Sequence, residues 1–97
     1  LGLTEDNPTI KPYEEKQWAE LADATSLPAG SSLGILDGLH LRWVTLLRTL
    51  TDADCARTVV HPASGRTMSI DFLTALYAWH CRHHVAHITA LRAREGW

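Results

Sequence analysis

The segment from Ser69 to Gly96 constrains the fold more than any other part of the chain. It reads as a single long helix running to about Arg94. Ser69 suits an N-cap, and Asp71 places a negative charge in the first turn. Arg92 and Arg94 fall in the last turn, where the helix dipole favours them, and Gly96 is a natural stop. In a chain of 97 residues this leaves room for one small domain at most, or for part of one.

The rest of the sequence also reads as mostly helical. Asn7-Pro8 and Pro12 give turn and extended signals, and Pro12 is a suitable first helical residue. Trp18, Leu21 and Ala22 then predict a short helix from Tyr13 to about Ala24. Residues 25–32 read as a linker, with Ser31 or Ser32 as the cap of the next helix. In that helix Leu36, Leu39, His40, Trp43, Leu46, Leu47 and Leu50 form one stripe, opposite Asp37, Arg42, Thr45 and Arg48. Gly34 and Gly38 weaken its first turns, and their small size permits close approach of a neighbouring helix. Thr51 begins a helical turn, and Val59-Val60 with Arg66-Thr67-Met68 around a His61–Gly65 turn could form a short hairpin. No internal repeat or low-complexity tract is present.

Four of the six histidines lie on the last helix: His80, His83, His84 and His87. With His80 as zero and about 100° per residue, Leu73 and Leu91 fall at about 20°, His84 at about 40° and Leu76 at about −40°. His87 falls at about −20° and His83 at about −60°. The apolar face is centred at about 15–20°, so His80 and His84 straddle it. Imidazoles four residues apart sit one turn apart and can share one metal ion. Neutral imidazole is a common ligand of Zn, Ni and related ions. Two histidines on a core-facing stripe also need partners for their nitrogens, and a metal supplies one. A satisfied core pair would meet the same need, so spacing alone leaves both readings open. His83 and His87 have the same spacing but are rotated off the centre, and rank second. His40, on the core stripe of the earlier helix, is a candidate second-shell group or alternative ligand. His61 reads as a surface residue.

Other chemistries are poorly supported. Nine Lys+Arg against eleven Asp+Glu leave no basic surplus for nucleic acid. Apolar runs are too short to span a membrane. Cys55 and Cys81 make no disulfide framework, which points to a reducing, cytoplasmic setting. A Cys81–His nucleophile pair lacks an orienting acid, and a helix interior does not lower a thiol's pKa. No Gly-rich phosphate loop, CxxC or HExxH motif occurs. The Trp and Leu stripes read as core, with Trp43 and Trp79 able to wall a pocket. Arg42, Arg66 and Arg82 could hold an anionic group, but each reads more simply as a solvated charge.

Tyr-Ala-Trp-His-Cys-Arg-His-His-Val-Ala-His-Ile (77–88) resembles the last-helix signature of the YfiT-like branch of the DinB superfamily. Residues 3–13, 39–47 and 61–66 are similar to the same family in order and spacing, so the resemblance covers nearly the whole chain. It implies an all-α fold, part of a four-helix bundle that is often dimeric, with a divalent metal held by three histidines. Two ligands are implied to come from the last helix as His-x-x-x-His, which places them at His80 and His84, with His83 as the non-ligand middle histidine. The third is implied to come from an earlier helix with no counterpart here, which would make residues 1–97 the C-terminal part of a longer domain.

The implied activity is metal-dependent hydrolysis, or metal-assisted transfer of a low-molecular-weight thiol such as bacillithiol. The implied partners are a small-molecule substrate and a second copy of the chain. The rival expectation is a non-catalytic helical module for interaction or dimerisation, whose histidines are structural.

Overall fold

A computed structural model describes residues 1–97. The order of elements is α1 (Glu15–Ala19), α2 (Ala22–Ser26), α3 (Ala29–Leu47), α4 (Asp52–Ala56), β1 (Thr58–Val60), β2 (Thr67–Ser69) and α5 (Ile70–Glu95). They fall into two compact units, one of residues 1–10 with 54–97 and one of residues 11–53.

The chain is mostly helical as expected, but it is not all-α: the short hairpin that the sequence allowed after Thr51 is present in the first unit. β1 and β2 form an antiparallel pair in the register Thr58↔Ser69, Val59↔Met68 and Val60↔Thr67. β-branched residues at 58–60 favour a pleated strand. The connection closes through His61 N–H to the Arg66 carbonyl (2.8 Å) and Gly65 N–H to the His61 carbonyl (2.8 Å). Gly65 stands at φ 65°, which suits glycine. A two-stranded hairpin is marginal by itself. Here residues 8–10 run parallel beside β1, with Val60 N–H donating to the Pro8 carbonyl (2.9 Å) and Ile10 N–H to the Val60 carbonyl (3.1 Å).

The small core of this unit lies under the hairpin. Val59 is only 3% exposed. Gly2 packs so closely that a Cβ there would lie 2.7 Å from Ile70 Cδ1 and 2.8 Å from Val59 Cγ1. Arg57 ties down the same segment by donating from Nε to the Gly2 carbonyl (2.8 Å) and from Nη2 to the Glu5 carbonyl (2.7 Å). Thr58 Oγ1 donates to Asn7 Oδ1 at 2.7 Å, and Asn7 holds a φ of 44°, a conformation asparagine tolerates better than most residues.

α5 grows directly out of β2. Ile70 N–H donates to the Arg57 carbonyl (2.9 Å), and the Ser69 hydroxyl accepts from Phe72 N–H (3.1 Å) as the expected N-cap. The far end is also as expected: Gly96 takes the left-handed conformation at φ 73°, and Trp97 N–H reaches the Arg92 carbonyl (3.0 Å). The helix is 26 residues long and contains no buried residue.

The second unit holds α1, α2 and α3. The single helix expected over 13–24 is two five-residue helices, because Leu21 turns extended (φ −64°, ψ 147°) between them. Neither buries a residue, so packing does not enforce a continuous helix. The Thr25 and Ser26 hydroxyls bond back to the Ala22 carbonyl as α2 ends. α3 starts at Ala29, before the Ser31 or Ser32 expected as its cap, because Pro28 takes the extended N-cap position (φ −60°, ψ 140°). Within this unit no neighbouring helix comes within 4 Å of where a Cβ would sit at Gly34 or Gly38, so the close approach expected there is not made by α1 or α2.

Candidate metal centre

α5 carries the histidine cluster, and its backbone alone brings the rings together. One helical turn separates i from i+4, and side chains lean along the axis onto the same face. The Nε2 atoms of His80 and His84 converge to 2.8 Å, with ring centroids 4.5 Å apart and planes inclined at 55°. His83 and His87 do the same: their Nε2 atoms are 3.0 Å apart, with centroids at 4.4 Å and planes at 84°. At such separations one ring of each pair can donate an N–H to the other, the roles following the tautomer of each ring. The two pairs stay distinct, since centroids across them are 5.8 Å (His83–His84) and 6.5 Å (His84–His87).

Trp79 organises the cluster from one side. Its indole is nearly parallel to the His83 ring (centroids 4.8 Å, 18°) and to the His80 ring (6.3 Å, 12°). The sequence reading gave Trp79 to the core or a pocket wall, whereas it is more than half exposed and stacks on the histidines. Its spacing of four from His83 is the signal that marks the contact in the sequence. The surrounding rings desolvate His83, and charge on His87, His84 and His80 would repel its proton. Both effects hold its pKa below the ordinary 6.5.

The expected burial is corrected. His80, His83, His84 and His87 are all exposed, and the apolar residues around them are open too, with Leu76 and Leu91 at 36% and Ile88 at 60%. The stripe has the predicted helical direction, but no residue of α5 is covered deeply enough to count as core. The need to satisfy buried nitrogens therefore does not argue for a metal here. Convergence of the ring nitrogens does.

His40 belongs to α3 in the other unit, where its ring stacks on Trp43 (6.3 Å, 17°). No three His, Cys, Asp or Glu side chains are placed to hold one metal ion together. His61 is half-buried rather than a plain surface residue, with Nδ1 3.4 Å from the Ser64 hydroxyl. Cys55 and Cys81 are free thiols. Arg42 lines an open apolar depression on α3 with Leu41, Thr45, Leu46 and Thr49. No helix is long and apolar enough to cross a membrane.

A family model described as the DinB superfamily matches residues 1–88. The chain belongs to the DinB superfamily. A relative from Geobacillus thermodenitrificans, named "Putative metal-dependent hydrolase", is 53% identical over 96 residues, which is 99% of this chain and 54% of the relative. A relative of the same name from Bacillus mycoides is 56% identical over 97 residues, covering 100% of this chain and 55% of its own. This DinB chain thus spans about half the length of the curated relatives it matches. Among solved structures, it is similar to YfiT from Bacillus subtilis with a TM-score of 0.93 and 46% identity, over 99% of this chain and 55% of that one. YfiT is described as "a probable metal-dependent hydrolase with an unusual four-helix bundle topology".

Proposed function

We propose that α5 supplies two ligands, His80 and His84, to the divalent-metal site of a metal-dependent hydrolase. The observation that carries this reading is the convergence of their Nε2 atoms to 2.8 Å in a chain of the DinB superfamily. The donor set fits such an ion. With metal–nitrogen bonds of about 2.05 Å, two imidazoles at a right angle stand about 2.9 Å apart, and at a tetrahedral angle about 3.3 Å apart. The pair meets the first value almost as it stands and the second after a small side-chain rotation. Two imidazoles do not complete a catalytic site, which takes three protein ligands and keeps a position open. The third ligand is assigned to a residue outside 1–97, in keeping with relatives nearly twice as long. The preferred ions are Zn and Ni, both well served by imidazole.

When bound, a divalent ion polarises an oxygen and lowers the pKa of the water or thiol it holds. The chain's own part is positional. The Ser69 cap and the Ile70–Arg57 hydrogen bond set the start of α5 against the hairpin, and the helix then fixes both rings at one pitch. Trp79, parallel to His80 and His83, limits their rotation. Hydrolysis is preferred to thiol transfer because the relatives carry that name.

The test is metal content of the full-length protein by plasma mass spectrometry. The tightly held ion should be lost in His80→Ala and in His84→Ala and kept in His83→Ala. Equal loss in His83→Ala would move the site to the other register. Retention in all three would place the ion on other residues, and a wild type that holds no metal would favour the non-catalytic helical module. Turnover of ester and amide panels, run against thiol-adduct formation, separates hydrolysis from thiol transfer.

A further inference from the structure

We infer that His83 and His87 form a second, separate site for a late divalent transition ion of the Cu, Ni and Zn class. The pair has the same chelating geometry as His80 and His84. Its Nε2 atoms are 3.0 Å apart, against about 2.9 Å for two imidazoles at right angles on one ion. The rings are almost perpendicular, at 84°, so the two nitrogens meet without the rings clashing. Trp79 stacks at 4.8 Å on the His83 ring and steadies its plane while Nε2 faces His87. Both histidines are exposed, so water can fill the remaining coordination positions.

The alternative is one ion shared by all four imidazoles, and the spacing opposes it. Within each pair the centroids are 4.5 Å and 4.4 Å apart, but across the pairs they are 5.8 Å and 6.5 Å, and no three donors gather. Two ions at two half-sites fit these distances better than one ion at a common centre. Imidazole donors with open water positions suit Cu and Ni, and affinity rises along the series to Cu. The site stands on its own geometry and does not require the hydrolase reading.

The experiment is calorimetric titration of the metal-stripped full-length protein with Ni²⁺ and with Cu²⁺, followed in parallel by tryptophan fluorescence. The wild type should take two equivalents, the second at least tenfold weaker because it has only two protein ligands. The double variant His80→Ala/His84→Ala should keep one weak equivalent and still quench. The double variant His83→Gln/His87→Gln should keep only the tight one. Trp79→Phe should remove most of the quenching tied to the weak event without removing the event. A single equivalent in the wild type, or a second that survives His83→Gln/His87→Gln, overturns the inference. If His80→Ala/His84→Ala loses nothing while His83→Gln/His87→Gln loses an equivalent, the second site stands and the assignment of the first falls. Circular dichroism of each variant establishes that the helix is kept.

Discussion

Gly2→Ala probes the packing that seats the histidine helix. A Cβ at position 2 would lie 2.7 Å from Ile70 Cδ1 and 2.8 Å from Val59 Cγ1. Carbon atoms pack at about 3.5–4.0 Å, so the new methyl must push two side chains back by close to 1 Å. Val59 is the buried centre of its unit, and Ile70 is the first residue of α5. The Gly2 carbonyl is also held by Arg57 Nε at 2.8 Å, which prevents the loop from simply lifting away. Overpacking of this kind costs about 1–3 kcal/mol. The assay is urea unfolding of the full-length protein, read as a change in midpoint at constant slope. Gly38→Ala is the control: nothing stands within 4 Å of its Cβ position, and it lies inside α3, so it should stabilise by about 0.5–1 kcal/mol. A Gly2→Ala change smaller than about 0.5 kcal/mol would refute the packing argument, since that is the scale of an unremarkable surface substitution.

Other measurements bear on the same frame. Ser69→Ala removes the hydroxyl that accepts from Phe72 N–H and should cost about 1 kcal/mol in the same unfolding assay. Arg57→Met breaks two charge-assisted bonds to the 1–10 segment and should cost about 2 kcal/mol, with faster hydrogen exchange at Val60 and Ile10 as the local sign. In metal-free protein the His83 ring should titrate below its ordinary value by NMR. His87→Ala should raise its midpoint, because the charge on His87 opposes protonation there. A depressed folded-state pKa means the unfolded chain binds the proton more readily. The His83 contribution therefore favours folding least as pH drops through the ordinary imidazole value, and a flat stability profile in that window would count against it.

What could be read from the sequence was what is local. The start of α5 at Ser69 and its stop at Gly96 follow from side chains and backbone freedom within a turn of each end. The convergence of His80 with His84 follows from helical pitch, so spacing alone found the pair. Spacing could not rank that pair above His83–His87, since one helix offers both the same pitch. The ranking rested on which face is covered, and coverage is a tertiary property.

What tertiary structure decided lies far apart along the chain. Pro8 and Ile10 pair with Val60, Arg57 holds Gly2 and Glu5, and Gly2 meets Ile70. No periodicity connects residues some fifty positions apart, so the sequence offered the hairpin without the 1–10 segment that runs beside it. The break at Leu21 has a related cause. Propensity favours one helix through it, but helices of this length persist only where packing holds them, and neither piece buries a residue. Local chemistry writes the caps and the histidine spacing, while contacts between distant segments set the start of α5 against the hairpin.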